Sequence, residues 1–330
     1  MKVSCAFATS LDSPEHAAVA EDLGYGRVWL YDTPQQSPDV WMTLALAARR
    51  TEHIGLGPGV LVPTLRHPMV NAAATAALHA LAPGRVAVAF GTGFTGRRAM
   101  GHGAIPWSYM EAYIRAYRAL LRGETVEWDG ARMRMLHPEG HAAPRPVDVP
   151  VIVAALGPKG AVVAKALGDG LYVTSSIPEF AKDFSSVSYL FWGTVREDDE
   201  EPSSARVRAA GGPGWALAYH AAYEFGGIEE LPGGSAWKAV IEQSAADERH
   251  LAVHDQHCVG LNAADQAAWE DGGYQALDTV TVSGTVDEVG ERLAAIASAG
   301  VTEIVFQPCG PDIRRELEAF MRAAEAAVLA

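Results

Sequence analysis

The stretch AALGPKGAVVAKALGDGLYVTS, residues 154–175, passes from an apolar run through Gly157-Pro158-Lys159-Gly160 into an amphipathic helical pattern. Free N–H groups, the helix dipole and one cation at such a start make a small anion site. It is not a P-loop, because no Gly-Lys-Ser/Thr follows a four-residue spacer. Other segments that read as strand ends are YDTPQQ (31–36), GPGVLVPTLRHP (57–68), FGTGFTGRR (90–98), VTSS (173–176) and FQPCGP (306–311). Several are glycine-rich, which lets backbone approach a ligand closely, and a flat ring could lie against it. No Ser/His/Asp nucleophile set, zinc-ligand spacing or carboxylate dyad stands out. The expectation is therefore no metal, and a cofactor that brings the chemistry.

The elements that must position these segments alternate. Apolar strand candidates begin near residues 2, 27, 53, 85, 149, 170, 187 and 302, and helical patterns lie between them. Strands that are apolar on both faces and alternate with helices predict a parallel sheet covered by helices. Eight of them, one close to each terminus, predict a closed (β/α)8 TIM-like barrel as one domain spanning 1–330. The Gly-x-Gly-x-x-Gly fingerprint of a dinucleotide fold is missing after the first strand, where ATSLDSPE stands. Residues 124–136 read as a hairpin turning at Asp129-Gly130. The pattern blurs over 176–282, which reads as a variable insertion late in the barrel, placed over the site.

The formal net charge of −14 over 330 residues argues against nucleic acid or an anionic membrane as partner. Cys5, Cys258 and Cys309 are far apart and read as reduced core thiols of a cytoplasmic protein. No apolar run is long enough for a signal peptide or a membrane span.

Four stretches together resemble the bacterial-luciferase-like superfamily of flavin- and deazaflavin-dependent oxidoreductases, on the branch containing methylenetetrahydromethanopterin reductase. They are AEDLGYGRVWLYD, TEHIGLGPGVLVPTLRHPMVNAAATAALHALAPGRVAVAFGTG, AALGPKGAVVAKALGDGLYV and GTVDEVGERLAAIASAGVTEIVFQP, in this order. Each alone is moderately specific; the ordered set is specific, while 176–282 matches poorly. The resemblance implies coenzyme F-420 as cofactor, with FMN and a monooxygenase chemistry as the alternative. It also implies a small organic substrate, hydride transfer and a homodimer. A non-prolyl cis peptide backs the ring in F-420-using members, and the matching bond is Gly59–Val60. Such a bond costs about 3 kcal/mol. By the same resemblance Gly91, Thr92 and Gly93 lie along the cofactor. Gly157, Pro158, Lys159 and Gly160 hold its phosphate, and Ser175 and Ser176 close the far side.

One departure affects the chemistry. Relatives often carry Asp-His after the second strand, whereas this chain has Asp32-Thr33. Asp32 and Glu111 are then the candidates for acid–base work, with Trp107, Tyr109, His137, His141, His254 and His257 further donors by residue type only. Loss of that histidine also leaves open a cofactor-binding barrel without catalysis. Arg66 reads as a partner for a nearby carboxylate, and Tyr109, Tyr113 and Tyr117, at helical spacing, as a packing face.

Overall fold

The computed structural model describes residues 1–329. Among them all eight expected strands form one parallel sheet: β1 Lys2–Phe7, β2 Arg27–Leu30, β3 Gly55–Pro58, β4 Val88–Phe90, β7 Val151–Ala154, β8 Gly170–Thr174, β9 Val187–Trp192 and β10 Glu303–Gln307. The remaining two, β5 Val126–Trp128 and β6 Ala131–Met133, make the antiparallel hairpin, with Asp129 and Gly130 both at positive φ as a tight turn requires. The order β3-β2-β1-β10-β9-β8-β7-β4 is closed into a ring by parallel bridges Leu56–Val86 and Leu61–Phe90. This is the α/β TIM-like barrel that the alternation predicts.

Side chains alternate across each strand. On β2, Val28 and Leu30 face the helices, while Trp29 and the following Tyr31 enter the barrel with Ala6, Ala87, Ala89, Tyr172 and Val305. Small neighbours make room for the indole. A Cβ on Gly57 would stand 3.0 Å from Trp29 and only 2.1 Å from the Ala87 carbonyl oxygen, so glycine is required there. Outside the ring, Tyr113 and Tyr117 are fully buried against Phe90 and bond to Asn71 and Thr75. Tyr113 and Tyr117 form the packing face read from their spacing, whereas Tyr109 is 37% exposed and packs its ring against Trp128.

The stretch 176–282 needs a refined boundary, because β9 lies inside it and is a full barrel strand. The helical unit begins after β9 and returns at the bridge Val195–Gly284, just before the helix Val286–Ser298 that leads to β10. Its helices, from Ala205–Phe225 to Leu277–Val280, have their own core of Trp215, Tyr219, Trp237 and Trp269. The sequence pattern is blurred here because the helices pack on one another around their own core rather than onto a sheet. No helix among the described residues is long and apolar enough to cross a membrane. The three cysteines are free and buried.

Candidate functional site

A cavity of about 770 Å³ opens at the C-terminal ends of the strands, beneath the helical unit. Its wall includes Gly59 and Val60 after β3, Gly91, Thr92 and Gly93 after β4, and Ser175 after β8. The Gly59–Val60 peptide is cis. Gly91 faces it closely, and a Cβ there would meet Val60 Cγ2 at 2.5 Å. Gly93 adopts φ +90°, a left-handed conformation that favours glycine, and starts the short helix Phe94–Arg98. Ser175 takes φ +63° and is exposed, as is Ser176, which lies off the cavity wall.

Gly157, Pro158, Lys159 and Gly160 open the helix Pro158–Leu167 next to Leu156, which lines the cavity. Gly157 gives this helix no side-chain cap, so its first N–H groups are free, and Lys159 is exposed. Gly160 has a packing reason of its own. A Cβ there would lie 2.4 Å from the Trp107 ring and 2.6 Å from Ala155 Cβ.

Asp32 lines the cavity, but both its oxygens accept from Arg66 Nη1, at 2.7 and 2.6 Å. Arg66 Nη2 also donates to Asp39, the N-cap of the helix Val40–Arg50. Burial pushes the Asp32 carboxyl up, against the pull of Arg66. Burial also acts upward on Asp39, but the Met42 N–H and Arg66 outweigh it and hold that carboxyl below its usual range. Asp32 is thus placed as a brace for the loop it starts. Glu111 is not brought to the cavity. It pairs with Arg115 one turn along the helix Trp107–Leu121, on a solvent-facing side. Tyr109, His137 and His141 also lie away from the wall, whereas Trp107, His254 and His257 are on it. Thr33 is buried and bonds to Ser37.

Sequence reasoning missed several wall residues. Tyr172 is buried with its hydroxyl unpartnered. Tyr31 donates to Gln307 Oε1 at 2.5 Å, and Gln307 Nε2 donates to the Cys258 carbonyl at 2.8 Å, tying the helical unit to the barrel. Gln36 donates to the His254 carbonyl. His220, from the helix Ala205–Phe225, stands behind His257, their Nδ1 atoms 2.6 Å apart. The spacing His254-x-x-His257 was the one sequence signal of this cluster.

Burial, helped by the neighbouring His220, lowers His254 to about 3 and holds His257 well below the usual imidazole range. An unfolded chain therefore binds more protons than the native one as pH falls from about 6.5 toward 3, and stability falls with it. In EDTA-treated protein, where only protons compete for the rings, the melting temperature should drop from pH 7 to pH 5. His254→Leu should flatten that slope. Equal slopes in both proteins would show that His254 is not buried in the neutral form.

A closed parallel barrel with a cavity at the strand C-terminal ends is the arrangement of a barrel enzyme. The chain belongs to the luciferase-like monooxygenase family, whose model matches residues 12–303. It is 27% identical over 328 residues to 5,10-methylenetetrahydromethanopterin reductase of Archaeoglobus fulgidus, covering 92% of this chain and 91% of that one. It is 36% identical over 176 residues to F-420-dependent glucose-6-phosphate dehydrogenase of Beutenbergia cavernae, covering 48% and 51%. The solved coenzyme F-420-dependent tetrahydromethanopterin reductase of Methanopyrus kandleri superposes with a TM-score of 0.66 at 19% identity, over 97% of this chain and 98% of that one, a likeness of fold.

Proposed function

We propose that this chain is an oxidoreductase that transfers a hydride between coenzyme F-420 and a small organic substrate. One observation carries the reading: the cavity wall at the ends of β3 and β4 is a glycine-lined cradle of Gly59, Val60, Gly91, Thr92 and Gly93, with Gly91 set close against the Val60 side chain. A flat ring fits such a cradle, and the names of the relatives at 27% and 36% identity supply its class. When bound, the coenzyme supplies two-electron hydride chemistry. The chain's own residues do the rest. Gly59, Val60, Gly91, Thr92 and Gly93 hold the ring face. The free N–H groups at Gly157–Gly160, with Lys159, hold phosphate. Leu190, Trp192 and Leu217 keep water from the substrate side. Asp32 positions its loop through Arg66, and the part of relatives' histidine falls to another group on the wall. Homodimerisation and a cytoplasmic setting belong to this reading, and light scattering of the purified protein tests the first.

Fluorescence quenching with F-420 and, separately, FMN tests the cofactor. F-420 should bind, and Gly91→Val should weaken it by about 10–100-fold, the equivalent of overpacking by 1–3 kcal/mol. A melting temperature near the parent's would show that the variant is folded. Binding of FMN alone, with substrate-dependent oxygen consumption, would replace this reading by the monooxygenase one. Binding of neither would leave a barrel without redox catalysis.

A further inference from the structure

We propose that His220, His254 and His257 form a three-histidine site for one divalent transition-metal ion of the zinc class, with its open coordination position facing the cavity. One nitrogen of each ring lies within 4.8 Å of one nitrogen of each of the others, and all three residues are buried. His254 and His257 are on the cavity wall.

The surroundings are those of metal ligands, whose second ring nitrogen is ordinarily fixed by an oxygen. His220 Nε2 lies 3.1 Å from Asp265 Oδ1. Asp265 is fully buried and also accepts from Trp237 Nε1 at 2.7 Å and the Asn262 N–H at 3.0 Å. A carboxylate so committed fixes the proton on His220 Nε2 and leaves Nδ1 as a lone pair. His257 has Nε2 at 3.0 Å from Thr95 Oγ1, which leaves its Nδ1 turned to the same place. Each of these two rings thus has an oxygen at the back and a nitrogen in front.

A hydrogen-bonded chain from Thr95 through His257 and His220 to Asp265 would account for those two rings without a metal. His254 decides against that chain as the whole account. Neither of its nitrogens has a hydrogen-bond partner, although the residue is 2% exposed, and Glu224 Oε1 is 3.8 Å from Nε2. Among the described residues no hydrogen bond compensates for burying these nitrogens, and a shared cation takes one of them as a ligand. Co-ligation needs the two Nδ1 atoms, now 2.6 Å apart, to separate to about 3.3 Å, given metal–nitrogen distances of about 2.0–2.1 Å. Three imidazoles leave the fourth tetrahedral position to an oxygen, from water or from a carbonyl or hydroxyl of a molecule in the cavity. The site stands whichever cofactor binds.

The test is metal binding by the full-length protein, independent of activity. EDTA-stripped protein is titrated with Zn²⁺ against a chromophoric chelator, and with Co²⁺ in the visible range. The expected result is one ion per chain and the absorption of tetrahedral Co²⁺. Asp265→Asn should weaken binding by about 10–100-fold. His254→Ala and His257→Ala should weaken it more, and His53→Ala, at an exposed position, should change nothing. His254 makes no side-chain hydrogen bond, so its variant decides the matter even if Asp265→Asn fails to fold. No stoichiometric Zn²⁺, or binding unaltered in His254→Ala, overturns the proposal and leaves the hydrogen-bonded chain.

Discussion

Arg66→Met should lower stability by about 3–5 kcal/mol, because it leaves the buried Asp32 carboxylate without its counter-ion. The Asp32 side chain is 1% exposed, and both of its oxygens accept from Arg66. The loss spreads, since Arg66 also anchors Asp39, which caps Trp41 and Met42 at the helix start. Methionine keeps the stem's packing, so the effect reads charge rather than volume. Urea melts at pH 7 and pH 5 measure it. The deficit should narrow at pH 5, where a stranded carboxyl, already pushed up by burial, takes a proton more readily. Asp32→Asn combined with Arg66→Met should recover part of the loss. A single-variant loss below about 1 kcal/mol would place this pair among solvent-screened ones.

Trp237→Ala should cost about 3–5 kcal/mol, the range for emptying a large aromatic from a core. The indole is fully buried, packs on Tyr223 with ring centroids 5.1 Å apart, and donates to Asp265. The core it belongs to is separate from that between barrel and helices. Hydrogen exchange should therefore show lost protection over residues 205–280, with the barrel strands still protected. Trp237→Phe keeps much of the volume and removes the hydrogen bond to Asp265, so its loss should be smaller than that of Trp237→Ala. Uniform loss across the barrel would instead show one cooperative unit.

The barrel was legible because each strand is short, apolar on both faces and separated from the next by a helical pattern. These are local properties, and the right positions of all eight strands follow from them. The Asp129-Gly130 turn and the buried Tyr113 and Tyr117 were legible for the same reason. Position along the chain also pointed to the stretches 57–68 and 90–98, because strand ends of one polarity meet at one mouth, while the resemblance singled out Gly59, Val60, Gly91, Thr92 and Gly93 within them. Glu111, a candidate by residue type, lies off the cavity wall, because residue type says nothing of direction. Its helix turns it to solvent beside Arg115.

The sequence by itself determined the closed alternation of strands and helices and the glycine-lined strand ends. Only the tertiary structure decided that Arg66 binds Asp32, that Gly160 serves Trp107, and that β9 lies within the stretch that looked inserted. It alone assembled the histidine cluster, whose hydrogen-bonding atoms come from residues 37 and 45 positions apart in the chain. The physical reason is range. Periodicity and turn chemistry act over a few residues, whereas the pairing of buried polar groups is settled by which distant segments the packed core brings to one point.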